Sequence, residues 1–306
     1  MPAADAVLHH PRRTLSLTRL GATFAAEVHD LDLRRPLDPS GVDAVHAALA
    51  DHKLLVFRDQ HLAPDELVAL GRSLGELTAA HPVLPPLDAA HPEVLEIDAI
   101  RSREDPRYKD EYENDTWHTD VSFMPDPPLG SILSGVVIPP QGGDTAFADL
   151  QDAYDTLSAP LRALVDGLDA EHDGRAEFGR FLAEHPDGGV WNGRRFTVLE
   201  PARHPVVRAH PVNARPGLFV NPTFTTRLLG LPRIESRALL ALLYEHITQP
   251  ERTFRHRWQV GDVVLWDNRA TLHLGVRDYG DAPRVLHRVT LAGGIPYRPV
   301  RTTTAR

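Results

Sequence analysis

The sequence predicts a mainly-β protein, an antiparallel β-sandwich or jelly roll with added helices. Three observations point there. The strand-like segments are short and spread through the whole chain; turns and long insertions separate them; and they do not alternate with helices as a doubly wound α/β sheet would require. There is no internal repeat, and no break in composition marks a linker. Residues 1–306 are therefore read as one domain, with 1–13, a stretch of small residues, prolines and two arginines, as a loose N-terminal extension.

Taken in order, Leu15 to Leu20 is expected as a first strand. Val42, Val45 and Leu49 recur at helical spacing within Gly41 to Ala50. Lys53 to Phe57 (KLLVF) reads as a short buried strand. Pro64 suits the first turn of a helix that carries Leu67, Leu70 and Leu74 at steps of three and four. From about His81 to Thr116 the periodicity lapses into a stretch rich in Pro, Asp and Glu, with one strand expected at Val94 to Ile97. Such a stretch is either an active-site lid or disordered chain. Gly130 to Ile138 reads as a strand, Asp149 to Gly167 as two short helices broken at Ser158–Ala159–Pro160, and residues 169–216 as irregular polar chain. Glu235 to Ile247 is an amphipathic helix with Leu239, Leu243 and His246 on one side. Phe254, His256 and Trp258 alternate with Arg255 and Arg257, the pattern of a half-buried strand. Gly261–Asp262 turns the chain into a strand at Val263 to Trp266, and Leu286 to Leu291 is the last strong strand.

Hydrophobic residues at 42% and charged residues at 25% are ordinary for a soluble globular protein. No apolar run approaches the roughly 18 residues needed to span a bilayer. Met1 to Leu20 lacks the apolar core of a secretory signal, so a cytoplasmic location without a membrane partner is expected. The net charge of −9 argues against nucleic acid as a partner. With no cysteine, disulfides, thiolate zinc sites, iron–sulfur clusters and cysteine nucleophiles are excluded. A metal would have to be held by His, Asp, Glu or backbone oxygen, ligands that suit Fe(II), Mn, Zn or Mg. Lysine occurs only as Lys53 and Lys109, so arginine is the default base here, and any one arginine needs positional support before it is read as a ligand.

That support begins at Trp117–His118–Thr119–Asp120. In extended chain, residues i and i+2 point to the same side, so His118 and Asp120 could bind one metal from one strand end. A third ligand must come from elsewhere. Two histidines and one carboxylate on one face of an octahedron are the donor set of non-haem Fe(II) oxygenases. Alone, a His-x-Asp pair is a weak signal. A second one, His185/Asp187, lies in His185–Pro186–Asp187–Gly188–Gly189, which is turn chemistry and reads as a surface loop. The first pair has better company: Trp266 to His273 (WDNRATLH) follows a predicted strand, and Arg284 and Arg288 come after it on one face of the next strand, with Gly280–Asp281 able to turn the chain between. An arginine fork suits bidentate binding of a carboxylate.

With these residues the sequence resembles the taurine dioxygenase family of 2-oxoglutarate-dependent oxygenases, which also holds alkylsulfatases and herbicide-cleaving enzymes. The resemblance runs over roughly residues 14 to 298. It is strongest in WHTDVSF (Trp117 to Phe123), GGDT (Gly142 to Thr145), HPVVRAHP (His204 to Pro211), NPTFTTR (Asn221 to Arg227) and WDNRATLH through HRVTL (Trp266 to Leu291). It implies a double-stranded β-helix, or jelly-roll, core with flanking helices and long lid loops. It implies His118, Asp120 and His273 as iron ligands, Thr145 and Arg284 on the distal carboxylate of 2-oxoglutarate, and Arg288 on the anionic end of the primary substrate. His81, Asn114, Phe178 and Phe224 fall at substrate-pocket positions. Leu84 and Glu177 depart from that pocket, standing where taurine dioxygenase has a tyrosine and a serine.

The reaction so implied depends on Fe(II), consumes O2 and 2-oxoglutarate, releases succinate and CO2, and oxidises a C–H bond of a small anionic substrate: a sulfonate, an alkyl sulfate or a carboxylic acid. Taurine dioxygenase proper is one alternative. A zinc hydrolase using the same three ligands is another, though it would leave Thr145 and Arg284 without a task. A non-catalytic jelly-roll binding protein is a third. Assembly as a homo-oligomer is left open by the sequence.

Overall fold

The computed structural model describes residues 14–104, 116–184 and 187–300. Among the described residues the chain is mainly sheet, with seven α-helices and one short 3-10 helix. The largest sheet has seven strands in the order Ser16–Arg19 (β1), Ala26–His29 (β2), Leu54–Phe57 (β3), Val263–Asp267 (β15), Gly130–Val137 (β5), Val285–Leu291 (β17) and Leu95–Asp98 (β4). A three-stranded sheet places Thr145–Asp149 (β6) between Thr253–His256 (β14) and Thr271–Gly275 (β16). Among the described strands only β2 and β3 pair in parallel.

The central strands are apolar throughout because both of their faces are buried. Along β15 the alternation divides two cores. Val263 and Leu265 pack with Leu49, Leu67, Ile132 and Val289 under the helices Pro39–His52 (α1) and Pro64–Leu74 (α2). Val264 and Trp266 point the other way, into a cluster with Leu133, Phe147 and Leu286. The second face is the one that carries the site. On it Leu286, Arg288 and Thr290 of β17 run beside Leu133 and Ser131 of β5, as period-two geometry requires.

The two N-terminal helices follow their local signals. Asp38 accepts from Gly41 N at 2.6 Å at the head of α1, and Pro39 starts it. Lys53 ends it with φ at 62°, its N–H on Leu49 O and its buried Nζ 2.9 Å from Asp149. Asp149 is the last residue of β6, so this ion pair ties α1 to the small sheet. In α2, Glu66 reaches back to accept from Ala63 N at 2.8 Å.

Most expected elements are found within a residue or two. Residues 169–216 are the main exception. Instead of irregular chain they form Asp169–His172 (β7), the helix Arg175–Ala183 (α6), and the strands Gly189–Trp191 (β8), Arg194–Phe196 (β9), Ala202–Pro205 (β10), Val207–Ala209 (β11) and Pro216–Leu218 (β12). Strands of three or four residues are too short to show an alternation, and several bury polar side chains such as His172, His204 and Arg208. A short helix, Ala99–Glu104 (α3), also escapes the periodicity; Asp98 caps it by accepting from Ile100 N at 2.8 Å. The two expected helices after Asp149 are Leu150–Asp155 (α4) and Ala159–Val165 (α5). The last helix, Arg233–Ile247 (α7), buries Ser236, Leu240, Leu243 and Ile247, a stripe turned slightly from the expected one, with Leu239 and His246 at its half-buried edge. No described helix is long and apolar enough to cross a membrane.

Candidate active site

The site begins where β16 meets the segment after Thr116. His118 and His273 form an isolated antiparallel bridge, His118 N donating to His273 O at 2.9 Å and His273 N to His118 O at 2.8 Å. Directly opposed residues in such a pair carry their side chains on one face, and the two imidazoles lie 4.2 Å apart, centroid to centroid. The expected strand end at 118–120 is therefore only this bridge, and Asp120 opens a turn. Val121 holds φ at 52°, an uncommon conformation for a β-branched residue. The turn is pinned from behind, where Asn221 Nδ2 donates to Ser122 Oγ at 2.9 Å.

His118, Asp120 and His273 each offer a ligand atom, all within 4.8 Å of one another, and they are the one such group among the described residues. His118 Nδ1 lies 2.8 Å from Thr116 O, which puts its proton on Nδ1 and makes Nε2 the basic nitrogen. Burial, and then the neighbouring His118, push the His273 imidazole down to about 3, so it is neutral at physiological pH, the form that binds metal. Its ring is held by packing against Trp266, 4.9 Å away, and Phe147, 6.1 Å away, while its Nδ1 is buried without a protein partner. Burial, the largest single influence, would raise the Asp120 carboxyl, but the opposing groups, led by the Arg288 guanidinium and including the Ser131 hydroxyl, together hold it well below the usual carboxylate range. Asp120 Oδ2 accepts from Ser131 Oγ at 2.6 Å and Oδ1 from Arg288 Nη1 at 2.5 Å.

The motif Trp266 to His273 proves to be the β15–β16 turn. Asp267 Oδ1 accepts from Arg269 N at 2.8 Å, and its Oδ2 accepts from Arg269 Nη2 at 2.5 Å and lies 2.9 Å from His210 Nε2. Its backbone carbonyl takes Thr271 Oγ1 at 2.8 Å. The turn so fixed delivers His273 to the bridge, and His210 shows what the HPVVRAHP stretch contributes.

A second polar cluster lies farther along the same face. Thr145, opposite Gly275 in the ladder, follows Gly143, whose φ is 72°. Arg284 Nε donates to Gly143 O at 2.9 Å, its Nη2 is 3.5 Å from Thr145 Oγ1, and its guanidinium stands 5.8 Å over the Tyr279 ring. A Cβ on Gly143 would come within 3.1 Å of the Arg284 side chain, so glycine is needed there twice over.

One cavity of about 200 Å³ joins these groups. His118, Asp120, His273, Thr145, Arg284 and Arg288 all line it. So do His81, Leu84, Glu177, Phe178 and Phe224, which makes every expected site residue but one a wall of the same space. The exception, Asn114, lies outside the described residues. His81 Nδ1 accepts the N–H groups of Val83 and Leu84 at 3.1 and 3.0 Å, and burial followed by Arg288 pushes it down to about 3, leaving a neutral ring. That ring packs 4.7 Å from Phe178. Phe178 and Phe224 join Val121, Phe123 and Leu182 in one apolar wall, and half-buried Glu177 stands beside it at the start of α6. Of the second His-x-Asp pair, Asp187 is exposed in a turn, and His185 lies outside the described residues.

The structure adds residues that the sequence did not single out. Trp266, Tyr279, Arg101, Arg277, Glu96 and Asp98 also line the cavity. Ser131 touches Asp120, and Trp258 Nε1 donates to Thr145 Oγ1 at 2.9 Å. Trp258 was legible only as the inward member of an alternating strand.

Comparison with known proteins agrees with this geometry. Residues 16–290 match the family described as "Taurine catabolism dioxygenase TauD, TfdA family". The chain is 37% identical over 286 residues to an alpha-ketoglutarate-dependent sulfate ester dioxygenase of Pseudomonas putida, covering 92% of this chain and 91% of that protein. It is 37% identical over 275 residues to an alpha-ketoglutarate-dependent 2,4-dichlorophenoxyacetate dioxygenase of Cupriavidus pinatubonensis, covering 87% of this chain and 94% of that one. Among solved structures, a taurine dioxygenase from Burkholderia xenovorans superposes with a TM-score of 0.77 at 40% identity, covering 94% of each chain.

Proposed function

The chain belongs to the TauD, TfdA family, and from that premise we propose that His118, Asp120 and His273 hold Fe(II), that Thr145 and Arg284 hold the distal carboxylate of 2-oxoglutarate, and that Arg288 meets an anionic primary substrate. The enzyme is an Fe(II)- and 2-oxoglutarate-dependent dioxygenase, an oxidoreductase that also consumes O2.

The observation that carries the reading is that the three-ligand group and the Thr145–Arg284 cluster open into one cavity. The donor set fits a divalent iron: two imidazoles, that of His273 neutral, and one ionised carboxylate, gathered at one wall of the cavity. Iron bound there supplies the oxidation, in which 2-oxoglutarate loses CO2 to become succinate and a substrate C–H bond is oxidised. The protein's part is placement. Arg284 and Thr145 orient the keto acid by its far end. Phe178, Phe224, Val121 and Leu84 exclude water from the reacting region and leave apolar surface for a hydrocarbon or ring skeleton. Glu177 sets an acidic side chain at the same wall, where the resemblance to taurine dioxygenase would put a serine.

The substrate proposed is therefore an anionic organic molecule larger and more apolar than taurine: a sulfonate, alkyl sulfate or carboxylic acid. The sulfate ester and phenoxyacetate enzymes among the relatives support that class. The finer architecture proposed is a double-stranded β-helix in one domain spanning 1–306, because Leu133, Trp266 and Leu286 of the large sheet and Thr145 and His273 of the small one line a common cavity. His81 and Leu84 reach it from a connecting loop, as a lid would. A cytoplasmic enzyme with small-molecule partners, and neither nucleic acid nor membrane, is in keeping with the charge of −9. Succinate release tests the substrate reading, with taurine, long-chain sulfonates, alkyl sulfates and cyclic carboxylic acids supplied in turn. The larger apolar anions are expected to be preferred; taurine emerging best by a wide margin would overturn it.

A further inference from the structure

Behind Asp120 runs a buried chain of hydrogen bonds. Trp266 Nε1 donates to Asn268 Oδ1 at 2.9 Å, Asn268 Nδ2 donates to Ser131 Oγ at 2.9 Å, and Ser131 Oγ donates to Asp120 Oδ2 at 2.6 Å. Every direction in it is forced. An indole nitrogen can only donate, so the Asn268 atom facing it is the carbonyl oxygen and the amide nitrogen faces Ser131. An ionised carboxylate can only accept, so the Ser131 proton lies toward Asp120. Trp266, Asn268, Ser131 and Asp120 are each at most 3% exposed, so water does not compete for any of these bonds. Strand pairing builds the contact: Trp266 of β15 lies opposite Ser131 of β5, and Asn268 is two residues on, in the turn.

The chain occupies one carboxylate oxygen and turns the other toward the imidazoles: Oδ1 lies 3.8 Å from His273 Nε2. We propose that Ser131 and Asn268 are positioning residues for the metal centre, fixing the plane of the Asp120 carboxylate so that it offers Oδ1 alone to a divalent ion. This rests on the reading of Asp120 as a metal ligand. Without the Ser131 proton the carboxylate can rotate, both oxygens compete for the ion, and one face of the coordination sphere is no longer kept open. Arg288 donates to Oδ1 and Ser131 to Oδ2, so the two bonds together set the plane; with the Ser131 bond removed, Arg288 holds one oxygen only and rotation about the Cβ–Cγ bond is no longer restrained.

The experiment is calorimetric titration of metal-free protein with Mn(II), with circular dichroism as the control for folding, on the parent and on Ser131→Ala, Ser131→Cys, Ser131→Thr and Asp120→Ala. Loss of a hydrogen-bond partner of a metal ligand typically costs about 10–100-fold in affinity. Ser131→Ala and Ser131→Cys are expected to weaken Mn(II) binding by about tenfold or more. Ser131→Thr, which keeps the hydroxyl, is expected to stay within about threefold of the parent. Ser131→Cys preserves volume and reports on the bond even if the alanine variant does not fold. Mn(II) affinity within twofold of the parent in both Ser131→Ala and Ser131→Cys, with Asp120→Ala losing the metal, overturns the positioning role and leaves the ligand assignment standing. Full affinity in Asp120→Ala overturns both.

Discussion

The indole of Trp258 donates to the hydroxyl of Thr145 at 2.9 Å, and the Arg284 guanidinium approaches the same oxygen at 3.5 Å. A hydroxyl oxygen that accepts from two sides has its own proton directed elsewhere, and Thr145 lines the cavity. Trp258 therefore sets Thr145 as a donor toward whatever anion sits there. Trp258→Phe keeps most of the buried ring and deletes this one bond, whose net worth is on the order of 1 kcal/mol. The expected result is a KM for 2-oxoglutarate raised by roughly three- to tenfold, with the KM for the primary substrate little changed. A variant in which the two KM values rise together would assign Trp258 to packing alone.

Arg284 and Arg288 lie on one face of the same chain segment yet have different partners: Arg284 is on Gly143 and Thr145, Arg288 on Asp120. Arg284→Ala is expected to weaken 2-oxoglutarate by about a hundredfold, as for a sheltered charge-assisted pair, and the primary substrate far less. Arg288→Ala is expected to act on the primary substrate and also on the metal, since it removes a donor from Asp120. Binding titrations with each ligand separate these patterns. Loss of primary-substrate binding alone in Arg284→Ala would mean that the two tasks are exchanged.

Much of this site was legible because its parts are close in sequence. His118 and Asp120 are two apart, and Arg284 and Arg288 are four apart on an expected strand, so local geometry alone puts each pair on one side. What makes His273 the third member is the bridge to His118, a contact between distant segments. Ser131, Asn268 and Trp258 were not legible as site residues: a serine in an apolar strand, an asparagine in a turn and a tryptophan in an alternating strand have ordinary structural roles. Only the register of β15 on β5 and of β14 on β6 brings them to Asp120 and Thr145. The strands between Asp169 and Leu218 were missed for a related reason. Their buried histidines find partners far away in sequence, such as Ser122 O, 2.9 Å from His204 Nε2, and polar composition there does not mean exposure.

That buried histidine carries a stability prediction. Burial pushes His204 down to about 4, and His172, stacked edge-on to it at 5.0 Å, is shifted down as well. An unfolded histidine titrates near 6.5. Between about pH 6.5 and 4 the unfolded chain binds more protons than the folded one, so stability is complete above 6.5 and falls as the pH drops through that window. For His204 the effect is on the order of 3 kcal/mol at about 1.4 kcal/mol per pH unit. His204→Gln is expected to flatten the acid limb, read as urea midpoints at pH 7.5, 6 and 5. Parallel pH curves for parent and variant would rule out His204 as a source of the acid sensitivity.

The central claim is that His118, Asp120 and His273 hold an iron that works with 2-oxoglutarate and O2. The most direct measurement is succinate formed against O2 consumed, at limiting added metal, in the parent and in Asp120→Ala and His273→Ala. The parent is expected to require Fe(II), O2 and 2-oxoglutarate together. Each variant is expected to lose turnover by about a hundredfold or more, since two remaining ligands cannot hold the ion in a productive geometry. Near-parental succinate formation in either variant, or turnover of substrate with Zn(II) in the absence of O2 and 2-oxoglutarate, would contradict it.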